Sequence, residues 1–153
     1  MFPDIVDLES ETYGRVAPNI EHQNIHIESG ADNDVEILVS LIRDQVLKDL
    51  RVAADEPGRD PDLPLPSIIV FCENKTKLNK ICEKLSEINV LNLPFHDNTK
   101  SISLKMRYRT LNLLNEGKVP VLVSDNLGNR GLDTMNVSHV IQFEYAKSAQ
   151  EYL

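Results

Sequence analysis

Val121-Leu-Val-Ser-Asp-Asn-Leu-Gly-Asn-Arg-Gly-Leu-Asp133 is the stretch whose reading decides the fold. It opens with an unalternated apolar run and passes into a polar, glycine-containing loop that ends in Arg-Gly-Leu-Asp. A second apolar run, Val137 to Phe143, follows. Short continuous runs rich in β-branched residues predict strands covered on both faces by helices, which is how strands of a parallel sheet are buried. Ser67-Ile-Ile-Val-Phe-Cys72 has the same character, so Ile68 to Phe71 and Val119 to Val123 read as central parallel strands and Val137 to Phe143 as a further buried one.

Helical spacing fills the intervals. Leu78, Ile81, Cys82 and Leu85 recur on one helical face, and Leu104, Tyr108, Leu111 and Leu114 on another, which ends near Gly117. Val90 to Phe95 supplies the strand between them. Upstream, His22 to Glu28 alternates with Ile25 and Ile27 on one side, the period of a strand, after a Pro18-Asn19 turn signal. Asp32 or Asn33 can cap the next helix, in which Val35, Leu38, Leu41, Ile42, Val46 and Leu50 recur. Residues 52–66 hold four of the chain's eight prolines plus Gly58 and several acids, so they read as an exposed connector, an internal insertion in preference to a boundary. Strand and helix alternating five times predict an α/β fold: an open, mostly parallel sheet with right-handed crossovers and helices on both faces.

At 153 residues and 41% hydrophobic content, one domain with a full core is expected. No run approaches a membrane span, and Met1-Phe-Pro-Asp lacks the regions of a signal peptide, so an intracellular protein without membrane association is expected, its compartment unresolved. Cys72 and Cys82 fit reduced packing residues. The net charge of −8 is unevenly distributed. Residues 1–66 carry 15 acids and 5 bases, net −10; residues 67–153 carry 9 acids and 11 bases, net +2. The bases gather at Lys75, Lys77, Lys80 and Lys84 and again at Lys100, Lys105, Arg107 and Arg109. One basic face on an acidic protein is compatible with this division, as are solvated helix faces.

Ligands of such sheets bind beyond the carboxyl ends of the strands. The loops to inspect follow Phe71, Phe95, Val123 and Phe143. In the first, Asn74 or Thr76 could cap the next helix and offer donors to a phosphate; an ordinary cap is the plainer reading. The second, from His96, leads to Lys105, Arg107 and Arg109, and the third runs from Ser124 to Asp133. No Gly-x-x-x-x-Gly-Lys-Ser/Thr loop and no Gly-x-Gly-x-x-Gly fingerprint occurs, so this chain does not hold a nucleoside triphosphate in the usual way. His22 and His26 lie four apart but on a strand pattern without a third ligand, and Ser124 is not on a nucleophile elbow. No metal site and no serine hydrolase is expected.

Several ordered blocks together resemble the C-terminal RecA-like lobe of DEAD-box ATP-dependent RNA helicases. Ile68-Ile-Val-Phe-Cys-Glu-Asn-Lys75 looks like motif IV, with Phe71 its aromatic residue. His96-Asp97 stands where the family has His-Gly, and Arg107 matches the arginine before the "F-x-x-G" block, here Leu114 to Gly117. Val121 to Asp133 aligns without a gap to V-L-V-A-T-D-V-A-A-R-G-L-D, and Asn136-Val-Ser-His-Val-Ile-Gln-Phe143 to the strand after it. The resemblance covers nearly the whole chain. It makes residues 1–19 an entry segment from an N-terminal lobe and residues 20–153 an incomplete helicase C-terminal domain, with motif VI and the last strand falling beyond Leu153. A frayed sheet edge and modest stability are then expected.

The resemblance implies that Asn74, Lys75, Arg107, Asp125 and Arg130 meet single-stranded RNA backbone. It implies that Gly131 and Asp133 meet ATP, Asp133 at the ribose, and that Phe71, His96 and Asn126 support the motifs. Backbone phosphate is read by cations and N–H groups without base specificity, and a carboxylate can accept a ribose hydroxyl. ATP with Mg2+, the P-loop lysine and the DEAD carboxylates belong to the N-terminal lobe, so this chain alone is expected to be inactive. Departures accompany the matches: Asp125-Asn126 replaces Thr-Asp, putting negative charge where a hydroxyl meets phosphate, and Glu144-Tyr-Ala-Lys147 replaces Tyr-Asp-Leu-Pro. Two alternatives stand beside the helicase lobe. One is a non-catalytic RNA- or protein-binding module, with a protein partner on the acidic first third; the other is a different superfamily 2 translocase.

Overall fold

The structure, a computed structural model, describes residues 20–25, 33–96, 104–125 and 132–144. A helical stretch opens the fold: α1 (Asp34–Leu41), a π-helical turn (Ile42–Val46) and α2 (Leu47–Ala54). The elements β1 (Ser67–Cys72), α3 (Lys75–Glu87), β2 (Asn92–Phe95), α4 (Leu104–Asn115), β3 (Val121–Asp125) and β4 (Val137–Gln142) follow. All strand pairs are parallel and the order is β2-β3-β1-β4. This is the α/β architecture expected.

Alternation along β1 and β3 divides the core into two layers. Ile68, Val70 and Cys72 with Val121 and Val123 face α1, the π-helical turn, α2 and α3, whose Val35, Leu38, Ile42, Leu50, Leu78, Ile81 and Leu85 complete that cluster. Ile69 and Leu122 face the other way and pack with Leu111 and Leu114 of α4 and with Phe95. Burying a leucine or isoleucine of this kind is worth roughly 1.5–3 kcal/mol before entropy is counted. Helices therefore cover both faces.

Several expectations need correction. The strand expected over His22 to Glu28 is absent from its described part: residues 20–25 are irregular and Ile25 is exposed, because no strand among the described residues pairs with them. Residues 26–28 lie outside the described residues. Four strands, not five, are thus described. The strand placed at Val119 to Val123 sits two residues later, because Pro120 accepts from Ile68 N–H ahead of the ladder, and Ser124 and Asp125 pair with Phe71 and Cys72. Val90 is likewise outside β2; its N–H closes the end of α3 on Leu85 O at 2.9 Å. Val137 to Phe143 is not a buried run: among the described residues β4 borders the sheet, pairs only with β1, and leaves Val140 62% exposed. On α4, Tyr108 points outward and is 68% exposed, although Leu111 and Leu114 are buried as expected.

Two helix ends use left-handed backbone. Asn89 (φ 60°) ends α3, and Gly117 (φ 65°) ends α4 with Lys118 N–H on Leu113 O at 3.0 Å. Gly117 also lies against the connector, where an added Cβ would stand 2.6 Å from Leu65 N. The connector itself is exposed turn from Asp55 onward, with α2 extending to Ala54; Arg59 pins it by donating to Leu63 O and Pro64 O. No described helix is long and apolar enough to cross a membrane.

Candidate functional site

Parallel register brings the carboxyl ends of the strands together: Cys72 opposite Asp125, Phe95 opposite Ser124, Phe71 opposite Gln142. Immediately beyond β1 the chain turns into α3, and Asn74 is the cap, its Oδ1 accepting from Lys77 N–H at 3.0 Å. Of the two cap candidates, Asn74 is therefore the one used. Lys75 follows with an exposed side chain. Upstream, Asn33 precedes α1 without a side-chain cap bond.

A charged cluster ties this corner to β4. Phe143 N–H extends the ladder onto Phe71 O at 2.9 Å, which places Glu144 beside the start of α3. The Glu144 carboxylate accepts from Glu73 N–H and pairs with Lys77 Nζ at 2.7 Å. Lys77 Nζ also meets Asp34 at 3.2 Å and lies 5.1 Å from the Phe143 ring. The hydrogen bond it donates to Glu144 holds the ammonium above its ordinary pKa, against partial burial that pulls the other way, with Asp34 adding to the rise. Asp125 ends β3 nearly buried, 6% exposed, on the same side as Cys72. Burial first, then Glu144 and Asp125, push the Cys72 thiol up to about 12, so it is a protonated packing group and not a nucleophile. Burial pushes Cys82 up to about 11.

At the end of β2, the Arg107 guanidinium of α4 lies 4.6 Å from the centre of the Phe95 ring. A cation seated on a ring face is held in place there by the attraction of the ring. His96 follows Phe95, and its buried Nδ1 has no hydrogen-bond partner among the described residues. Asp133 stands elsewhere. Its carbonyl accepts from Asn115 Nδ2 at 3.2 Å, and Met135 N–H donates to Asn115 Oδ1 at 3.1 Å, at the C-terminal end of α4. Asn136 O in turn accepts from Ser67, the first residue of β1. Asp133 therefore lies toward the amino ends of the strands, with its side chain exposed, near an open hollow of about 650 Å³ lined by Glu56, Arg59, Pro64, Asn115, Met135 and Asn136.

Residues 63–153 match the family described as helicase conserved C-terminal domain. The chain belongs to that family. It is a RecA-like helicase C-terminal lobe of the DEAD-box type. It is 29% identical over its whole length to DEAD-box ATP-dependent RNA helicase 22 of Oryza sativa subsp. japonica, of which it covers 24%. It is 31% identical over 92% of its length to the pre-mRNA-splicing ATP-dependent RNA helicase PRP28 of Debaryomyces hansenii, of which it covers 23%. The crystal structure of the yeast DEAD-box splicing factor Prp28 matches 80% of this chain with a TM-score of 0.57 and 28% identity, over 23% of that chain. The lobe thus spans about a quarter of the length of these relatives.

Of the residues singled out in the sequence, the lobe gathers Phe71, Asn74, Lys75 and Asp125 at the ends of β1 and β3, and His96 and Arg107 one strand over at β2. Asp133 is not brought to them. Asn126, Arg130 and Gly131 lie outside the described residues. The sequence reading did not single out the Asp34–Lys77–Glu144 cluster, whose members are far apart in the chain. One signal existed: Lys77 is three residues past the capping Asn74, so its stem rises from the first turn of a helix.

Proposed function

We propose that this lobe serves an ATP-dependent RNA helicase by binding single-stranded RNA backbone at the carboxyl ends of its strands and completing an ATP site with an N-terminal lobe. The observation that carries the reading is Arg107, seated on Phe95 at the same sheet edge as the Asn74-capped start of α3 and the exposed Lys75. Guanidinium, ammonium and helix-terminal N–H groups together favour phosphate without reading bases. His96 Nδ1, without a hydrogen-bond partner among the described residues, is a further polar atom at this edge.

The residues present do not fit a triphosphate or its metal. The sequence has no P-loop, and among the described residues no three His, Cys, Asp or Glu side chains could hold an ion. In this reading ATP with Mg2+ is held by the N-terminal lobe, and the part of this chain is the exposed Asp133 carboxylate as acceptor for the ribose. Alone, the chain does not hydrolyse ATP. Within a complete DEAD-box helicase that carries this lobe, RNA-stimulated ATPase activity is expected, which Asp133→Ala lowers at least about tenfold, the loss of about 1.4 kcal/mol in the transition state. Activity indifferent to that change would remove Asp133 from the site.

A second reading, a non-catalytic binding module, draws on one observation. The Glu144 carboxylate already occupies Glu73 N–H and Lys77 Nζ, groups that a phosphate could otherwise use. RNA binding without ATPase activity in that complete protein would favour it.

A further inference from the structure

We propose that the outward face of α4 is a second contact for single-stranded RNA, with Tyr108 as a stacking platform and Lys105 and Arg109 as phosphate partners. The proposal extends the RNA reading of the carboxyl edge and rests on it.

Lys105, Tyr108, Arg109 and Asn112 stand at spacings of three, four and seven along α4, so they form one stripe, and all four are exposed. The opposite side of the helix, Leu111 and Leu114, is what holds α4 to the sheet. Tyr108 gains no burial from its position; at 68% exposure it leaves a ring face open, and Met106 on the flank is 53% exposed. From Leu104 to Asn115 there is no acidic residue, in a protein whose net charge is −8. Lys105 and Arg109 make no ion pair among the described residues, whereas Lys77, Lys84 and Lys118 each do.

An open aromatic ring between two such cations is the arrangement that tracks an unpaired strand: the cations follow phosphates and the ring takes any base. Duplex would hide the base faces that the ring needs. An anionic membrane surface fits less well, because the stripe has no row of apolar residues and the whole protein is acidic. Continuity comes from Arg107, which lies on the same helix but turns inward onto Phe95. A strand leaving the carboxyl edge at Arg107 meets Tyr108 and Arg109 within one helical turn, about 5 Å along the axis.

The test is fluorescence anisotropy of this chain with labelled oligouridylates on the order of 5 and 12 nucleotides long, within the span of single-strand sites. Wild type is expected to prefer the longer strand about tenfold. Tyr108→Ala, and Lys105→Gln with Arg109→Gln, should erase most of that preference while leaving the short strand's affinity unchanged; Tyr108→Phe should keep it. Arg107→Ala should weaken both lengths. If Arg107→Ala weakens both and the α4 stripe variants change neither, the stripe is overturned and the edge reading stands. If Arg107→Ala changes nothing while Tyr108→Ala removes the length preference, the edge reading fails and the stripe remains. No binding of either strand overturns both. Tyr108-dependent binding to phosphatidylserine vesicles with RNA affinity unaltered would overturn the stripe in favour of a membrane.

Discussion

Helices α3 and α4 both carry a cluster of bases, and the structure uses them differently. On α3, Lys77 is gripped by Glu144 and Asp34, and Lys84 pairs with Glu87 one turn on. On α4, Arg107 rests on an aromatic ring, and Lys105 and Arg109 face outward with no acid on the helix. A count of bases along the chain treats the two helices as equivalent. The lesson is that a lysine's availability is decided by the carboxylates that topology delivers to it. Here β4 ends beside α3 and delivers Glu144, while α4 lies on the opposite layer of the sheet.

Core truncation should affect both helices most, and about equally. Leu85→Ala on α3 and Leu114→Ala on α4, each fully buried, are expected to cost about 2–5 kcal/mol in urea unfolding. A much smaller loss for Leu114→Ala would mean that α4 is only loosely held to its layer. The helix ends should then separate the two. Gly117→Ala places a Cβ against the backbone of Leu65 at positive φ and should cost about 2 kcal/mol or more, whereas Asn89→Gly should change stability by only a few tenths. Equal effects would show that the connector does not press on α4.

Smaller effects concern the charged corner of α3. Asn74→Ala removes the cap acceptor of Lys77 N–H and is expected to cost about 1 kcal/mol. Glu144→Gln should cost no more than about 1 kcal/mol, since the Lys77 pair is partly exposed and screened. The sign follows from the raised pKa of Lys77: its contribution is fully present below the unfolded lysine pKa of about 10.4 and fades as pH rises through the folded value. Stability curves of wild type and Glu144→Gln should therefore converge above that pH and stay apart at neutrality.

Much of the fold was legible because the hydrophobic pattern is local. Ile68 to Phe71 and the Val121 run announce buried parallel strands, and Leu78, Ile81 and Leu85 announce the helix between. What failed was whatever depends on neighbours. Val137 to Phe143 has the composition of a central strand but occupies the border of the described sheet, and residues 22–25 alternate outside the described strand ladders. Tyr108 fitted the apolar period but lies about a quarter turn from the buried centre, which Arg107 covers through its ring contact. At the site, Asn74 could be found from its position between an apolar run and a helical pattern. The Lys77–Glu144 pair could not, because only the β1–β4 pairing makes those residues meet.

The most direct measurement is the salt dependence of single-stranded RNA binding for wild type, Arg107→Gln on α4 and Lys84→Gln on α3. Removing one cation that meets a phosphate should flatten the log–log slope by about 0.7. Expected is that flattening for Arg107→Gln, with weaker binding, and an unchanged slope for Lys84→Gln, whose ammonium is already paired with Glu87. Equal slopes in all three proteins, or an equal flattening from both helices, would contradict the assignment of RNA to the Arg107 edge.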